Sequence, residues 1–356
     1  MEALAPLRDS LRAGGHACLK LVGPPELSAH GAFERRALAG YPLMELDEAA
    51  VAVAGYALLV GVGLMLRPDD WAATSRAAKV AEWEKAEAAK AKAKAAGLPP
   101  PRRDIGFHTF SIAKASAKVA KEPLLILMSL YNVLQVALCG YMMVKAASVA
   151  WLHYARPICN PHNNVASSEL KDVLWLFYVS KVLDFADTFF IVARGKWDQF
   201  SFLHIYHHFS IFLTYWLVAN AAPDGDVFYT VVANSFVHFV MYFYYFCTAL
   251  ACTPFQNIVT DIQLTQFVTM MTQACVILGS GVAKDNGWAS FDCPYPKKVT
   301  AFYLGYIMSL FMLFNAFKAE KYQGPAKAAA ASPKAEALAA DEAQAGGKKS
   351  PAARRR

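Results

Sequence analysis

Seven long apolar blocks stand out along this chain, separated by charged or turn-rich stretches. They cover 49–66, 124–147, 170–192, 201–220, 227–250, 259–279 and 299–317, each close to the roughly 20 residues a helix needs to cross a bilayer. The first is short and Gly-rich. The pattern predicts an all-α, polytopic membrane protein with seven transmembrane helices. Around them lie an N-terminal segment (1–48), a basic loop (67–121) and a low-complexity tail (323–356) expected to be disordered, with a membrane domain at 122–322.

Composition supports this. Of 356 residues 56% are hydrophobic and only 18% charged, too few charges for a soluble domain of this size. The opening MEALAPLRDSLRAGG has scattered charges and no compact apolar run, so no signal peptide is expected. Lys and Arg then set orientation, because short basic loops stay cytoplasmic. Twelve lie in 67–121, Arg194 and Lys196 in one turn, and nine from Lys318 onward, against nine on the opposite side. The expected N-terminus is non-cytoplasmic and the C-terminus cytoplasmic. The net charge of +7 therefore collects on one membrane face, in stretches such as KVAEWEKAEAAKAKAKAAG, where a solvated helix near anionic lipid accounts for it. No compact basic domain suggests a nucleic-acid partner.

Ionisable and polar groups at membrane depth are costly, so each is a candidate for function. The third span carries Lys181, Asp184, Asp187 and Thr188, the fourth His204, His207 and His208, with Gln199 just before it. The fifth carries Asn234, His238, Tyr242, Tyr244 and Tyr245, and the sixth Thr260, Gln263 and Gln266. Counted from the basic side at ~1.5 Å per residue, Asp187, His207, Gln266 and His238 fall in one layer roughly 9–18 Å deep. Spacings of three and four keep each cluster on one helix face. Singly, several have plain structural readings. Lys181 and Asp184 suit a self-neutralising ion pair, the tyrosines an interfacial belt, and the glutamines interhelical contacts. Three imidazoles within two turns of one membrane helix are much harder to explain as packing.

Two chemistries suit an HxxHH helix. Imidazoles at i, i+3 and i+4 can converge on iron, as in membrane di-iron desaturases and hydroxylases, although only four of the nine histidines fall at this layer. Alternatively, an imidazole can take an acyl group from a thioester and pass it on, with a second histidine shuttling the proton. Asn, Gln and Tyr donors would then stabilise a developing oxyanion or enolate. A non-enzymatic seven-helix receptor or transporter is the third class, but no half-to-half repeat supports it.

The motifs resemble those of the fatty acid elongase (ELO) family, the membrane 3-ketoacyl-CoA synthases. The family's KxxExxDT is approximated by Lys181, Asp184, Asp187 and Thr188, with Asp in place of Glu at 184. QxxFLHxxHH is met by Gln199, Phe202, Leu203, His204, His207 and His208, and NxxxHxxMYxYY by Asn234, His238, Met241, Tyr242, Tyr244 and Tyr245. TxxQxxQ is met by Thr260, Gln263 and Gln266, and the likeness covers about 120–322.

The resemblance implies six helices ringing an acyl tunnel, with the first span packed outside. It implies condensation of malonyl-CoA with a long-chain acyl-CoA to give 3-oxoacyl-CoA, CO2 and CoA. His207 would be the acyl acceptor and His238 its neighbour, with His204 and His208 completing the catalytic box. Lys181, Asp184, Asp187, Thr188, Gln199, Asn234, Tyr242, Tyr245, Gln263 and Gln266 would surround the substrates. No cofactor or metal is expected beyond the two CoA substrates. The expected partners are membrane lipid and the reductases and dehydratase of the elongation cycle, with a homodimer left open. The segment from Gln199 to Tyr245 most resembles polyunsaturated fatty acid elongases of microbial eukaryotes, which favours an acyl chain of about 18 carbons. The family resides in the endoplasmic reticulum membrane. On the topology above, Cys159 and Cys293 both face its oxidising lumen, and a disulfide between them is expected.

Overall fold

The computed structural model describes residues 5–24, 38–97, 112–154, 156–162, 168–250 and 258–330. Every regular element among them is a helix. In chain order these are α1 (Ala5–Val22), α2 (Leu46–Leu66), α3 (Trp71–Ala95), α4 (Ile112–Lys121), α5 (Leu124–His153), α6 (Ser168–Ala193), α7 (Phe202–Ala221), α8 (Val227–Ala249), α9 (Ile258–Asp285) and α10 (Lys297–Ala330). The chain is a polytopic all-α membrane protein.

Five helices are long and apolar enough to cross a membrane: α2, α5, α8, α9 and α10. The other two expected spans are α6 and α7. They fall short because they carry the ionic and imidazole side chains, so composition establishes five of the seven expected spans. Several helices also run past their apolar blocks. α5 continues to His153 and α10 to Ala330, because backbone hydrogen bonding continues into the polar flanks where the hydrophobic signal ends. Residues 323–330, expected to be disordered, are therefore helical, in keeping with their Ala-rich sequence. The rest of the tail lies outside the described residues. The N-terminal segment likewise contains a helix, α1, which buries Gly15 and Leu19 and packs on α2 and α7.

The chain divides into two compact units. One is Pro68–Asp104 with Asn315–Arg356. Its α3 buries nothing, starts with Thr74 bonded to Asp70, and ends at Gly97, whose φ of +68° is the left-handed conformation common after helix C-termini.

The other unit, Met1–Arg67 with Ile105–Phe314, holds the bundle. α5 packs on α6 and α8, α6 on α7, and α8 on α9. Side chains close the circuit. Phe267 of α9 lies on Phe314 of α10 with ring centroids 5.1 Å apart, and Tyr206 of α7 hydrogen-bonds Ser309 of α10 at 2.8 Å. The six helices α5–α10 thus form a ring. α2 stands outside it against α6 and α7 and buries Ala49, Tyr56 and Gly63, one residue every seven. Gly63 is required there, since a Cβ would lie 2.7 Å from the Phe200 ring and 2.8 Å from Val192.

The two ends of the ring are tied differently. At the basic end, Arg194 donates twice to Glu122, at 3.0 and 2.7 Å, clamping the end of α6 to the start of α5. That hydrogen-bonded guanidinium holds the Glu122 carboxyl below the usual carboxylate range. At the other end Cys159 and Cys293 form a disulfide, with Cα atoms 4.7 Å apart. The Asp226 carboxylate accepts from the backbone N–H groups of Cys159 and Asn160, at 2.8 and 2.9 Å. Gly225 sits at φ +73°, where a Cβ would lie 2.6 Å from the Pro161 carbonyl oxygen. Closing a 134-residue loop removes on the order of 4–5 kcal/mol of chain entropy from the unfolded state, less when that state is confined to a membrane. Non-reducing peptide mapping is expected to recover the Cys159–Cys293 cross-link, and reduction to lower the unfolding temperature. Alkylation of both thiols without reductant would contradict the bridge.

Candidate active site

The side chains singled out in the sequence meet inside the ring. On α6 the i, i+3 spacing lets Lys181 Nζ reach Asp184 Oδ2 at 3.0 Å, both residues being 3% exposed or less. Burial of an ion pair is tolerable only with further partners. Asp184 Oδ1 accepts from Gln135 Nε2 at 2.8 Å and lies 3.2 Å from the Tyr242 hydroxyl, while the ammonium stands 4.3 Å from the centre of the Phe177 ring. The Tyr242 hydroxyl is closer to Asp187, at 2.8 Å, so one proton bridges the two carboxylates through α8.

A turn further along α6, Thr188 Oγ1 lies 2.8 Å from His204 Nε2 and donates to the Tyr56 hydroxyl at 3.3 Å. α7 begins where Ser201 Oγ accepts from the His204 backbone N–H, which fixes the first turn of the histidine helix. His204 and His208 then lie 4.3 Å apart with their rings tilted, His207 lies 5.5 Å from His208, and His238 of α8 lies 6.5 Å from His207, all between ring centroids. Nδ1 of His207, His208 and His238 and Oδ1 of Asn234 are buried without a hydrogen-bond partner. Such groups are costly unless a ligand meets them. A cavity of about 220 Å³ lies there, lined by His207, Asn234 and Gln266 on its polar side and by Ile211, Phe267 and Leu310 on its apolar side. Among the described residues no three His, Cys, Asp or Glu side chains form a metal-binding group.

A nucleophile-sized imidazole facing a narrow apolar cavity, beside a second imidazole and amide donors, suits transfer of a long apolar acyl group. The model of the ELO: GNS1/SUR4 family matches residues 107–330. The chain belongs to the ELO family.

The relatives of this elongase match it at about a third of the positions over a little more than half of its length. It is 32% identical over 211 residues to very long chain fatty acid elongase 5 of Tachysurus fulvidraco, covering 57% of this chain and 68% of that one. It is 32% identical over 206 residues to very long chain fatty acid elongase 2 of Mus musculus, covering 55% and 66%. With elongase 5 of Xenopus laevis the identity is 33% over 199 residues, covering 54% and 63%. The alignments thus span about two thirds of each relative. Membership places this chain in fatty acid elongation as a condensing enzyme.

Not every expected residue of the elongase site is gathered in. Gln199 lies exposed in the turn before α7, where its backbone N–H bonds Lys196 O at 2.9 Å. That tight turn, needed to bring α7 back beside α6, leaves its side chain outside the cluster. Tyr245 stands at the edge, 39% exposed, and Gln263 is half-buried with Nε2 3.9 Å from Met241 Sδ. Three participants went unrecognised in the sequence. Gln135 and Tyr131 of α5 join the Asp184–Tyr242 network, with Gln135 Nε2 donating to the Tyr131 hydroxyl at 2.9 Å. Tyr56 comes from α2, outside the family match, and packs on Phe185 at 4.3 Å. Asn132 and Gln135, two amides within an apolar block, were the available signal for α5. Tyr56 had none, because a lone tyrosine in an apolar helix reads as a lipid-facing aromatic.

Proposed function

We propose that this elongase is a 3-oxoacyl-CoA synthase that works through an acyl-His207 intermediate. A ring nitrogen of His207 attacks the acyl-CoA thioester carbonyl, the C–S bond breaks, and CoA leaves as the thiol with the imidazole proton. Loss of CO2 from malonyl-CoA leaves its electron pair on the enolate. The enolate attacks the acyl carbonyl, forms the C–C bond and expels the imidazole, which regains a proton. His238 is the neighbouring group that moves protons, His208 and His204 orient the box, and Asn234 and Gln266 face developing negative charge on oxygen. The observation that carries this reading is the cavity in which the unpartnered His207 and Asn234 meet apolar walls.

The substrates proposed are malonyl-CoA and a long-chain acyl-CoA, preferably polyunsaturated and about 18 carbons long, with no resident cofactor. Lys181, Asp184, Asp187, Thr188, Tyr242 and Tyr245 hold the site in shape beneath the CoA entrance. Arg194 and Lys196, at the basic end of the ring, are charged to draw in CoA phosphates. We place the enzyme in the endoplasmic reticulum membrane with α6 and α7 as additional spans, the N-terminus lumenal and the C-terminus cytoplasmic. There it would hand 3-oxoacyl-CoA to the reductases and dehydratase of the cycle. Its basic residues collect on the side where both CoA substrates reside, which supports that orientation.

Purified protein in liposomes, given labelled malonyl-CoA and C16–C20 acyl-CoA, is expected to form labelled 3-oxoacyl-CoA with stoichiometric CO2. Label that stays in malonyl-CoA with every acyl chain would refute the reading. Thr188→Val removes the hydroxyl beside His204, and the loss of one hydrogen bond to a ring nitrogen is expected to lower the acylation rate roughly tenfold. Unchanged acylation would remove Thr188 from the orienting role.

A further inference from the structure

Beyond the cavity at His207 lies a second one of about 380 Å³, toward the disulfide end, against Val218, Val227, Thr230, Ala274, Ile277 and Val299. The two share only Tyr215 and Tyr303 among their lining residues. The Tyr215 and Tyr303 hydroxyls are 3.4 Å apart, and the Tyr303 hydroxyl lies 3.5 Å from Met270 Sδ, so side chains of α7, α9 and α10 meet between the cavities. We propose that the Tyr215–Tyr303 pair is a gate within the acyl site, which an acyl chain passes only when it is long enough to need the far cavity. This rests on the acyl-His207 reading and adds the residues that read chain length.

The gate has a fixed leaf and a movable one. Tyr215 is 2% exposed and its ring packs edge-on against Phe177 at 4.7 Å, which leaves it no room to turn. Tyr303 is half-buried and held through its hydroxyl, by long hydrogen bonds to Tyr215 and Met270 and by Thr230. The far cavity is suited to hydrocarbon despite its polar names, since Gln273 Nε2 is bonded to the Asp226 carbonyl oxygen at 3.0 Å and Thr300 Oγ1 to that of Pro296 at 2.9 Å. The Asp226 carboxylate is taken by Cys159 and Asn160.

Helix rise converts this into carbon number. Tyr215 is eight residues along α7 from His207, about 12 Å. A saturated chain of ~1.5 Å bonds advances about 1.25 Å per carbon, so the gate stands near carbons 9–10. The far cavity extends along α9 from Gln273 to Ile277, about 6 Å, or roughly five more carbons. Chains of about ten carbons end at the gate, and chains of about 15 or more, an 18-carbon chain among them, reach through both cavities.

The test is the ratio of kcat/KM for an 18-carbon to a 10-carbon saturated acyl-CoA, measured with malonyl-CoA in liposomes. Tyr303→Phe keeps the ring and removes the hydroxyl that holds the gate, and is expected to raise the ratio about fivefold, the worth of roughly one neutral hydrogen bond. Ala274→Phe fills the far cavity and is expected to lower it at least tenfold. A ratio within twofold of wild type in either folded variant overturns the gate. If Ala274→Phe does not fold, the Tyr303→Phe ratio decides alone. Wild-type protein that elongates neither chain, nor any polyunsaturated C16–C20 acyl-CoA, would instead overturn the elongase reading, so the two failures are distinct.

Discussion

His207→Ala is expected to lower elongation by roughly 10³–10⁴-fold while leaving the fold intact. The fold should survive because His207 makes few polar contacts. Its Nδ1 has no partner, and its ring touches Phe314 and two other imidazoles at 5.5–6.5 Å. Removing it enlarges a cavity already present and strands no charge. His238→Ala is expected to fall less far, roughly 10²-fold, because proton transfer is then left to water. The order of the two losses matters. If His238→Ala were the more damaging and His207→Ala still formed acyl-enzyme, the roles would be reversed. Comparable unfolding temperatures for both variants would assign the losses to chemistry.

The largest effect on stability is expected from Asp184→Ala. It leaves the Lys181 ammonium buried over the Phe177 ring without its carboxylate, a situation that costs about 3–5 kcal/mol. It also takes one acceptor from the Gln135 amide, which keeps the Tyr131 hydroxyl, and loosens Tyr242. Replacing the pair together, Lys181→Met with Asp184→Leu, removes both charges and is expected to restore most of the folded yield but not the activity. Activity stays lost because Tyr242, which ties α8 to α6, has lost one of its two acceptors. Yield measured by fluorescence-detected size exclusion separates the outcomes. Equal loss in the single and double variants would mean that the pair is not a coupled unit.

The sequence made the membrane helices and the histidine helix legible because their signals are strong and local. Apolar runs report the hydrocarbon thickness, and HxxHH at i, i+3 and i+4 puts three rings on one face. Lys181 and Asp184 were legible as a pair for the same reason. Relations between helices were less visible. Tyr56 holds Thr188 from outside the ring, and nothing in the α2 sequence distinguishes its buried stripe of Ala49, Tyr56 and Gly63 from its lipid-facing sides. Gln199 was assigned to the site by its place in a motif, yet the eight-residue connection 194–201 leaves it exposed before α7 begins. The helix at Ala5–Val22 escaped because its apolar positions are few and its stability comes from packing on α2 and α7, with Arg8 and Arg12 paired to Asp47 at 3.1 and 2.9 Å.

The central claim is covalent transfer through one histidine, and a single measurement addresses it. Purified elongase is incubated with an 18-carbon acyl-CoA in the absence of malonyl-CoA, quenched, digested and mapped by tandem mass spectrometry. The account predicts an acyl mass on His207, absent in His207→Ala and discharged on addition of malonyl-CoA. An unmodified His207 in protein that nevertheless elongates the same acyl-CoA, or an acyl group on another residue that malonyl-CoA discharges, would contradict it.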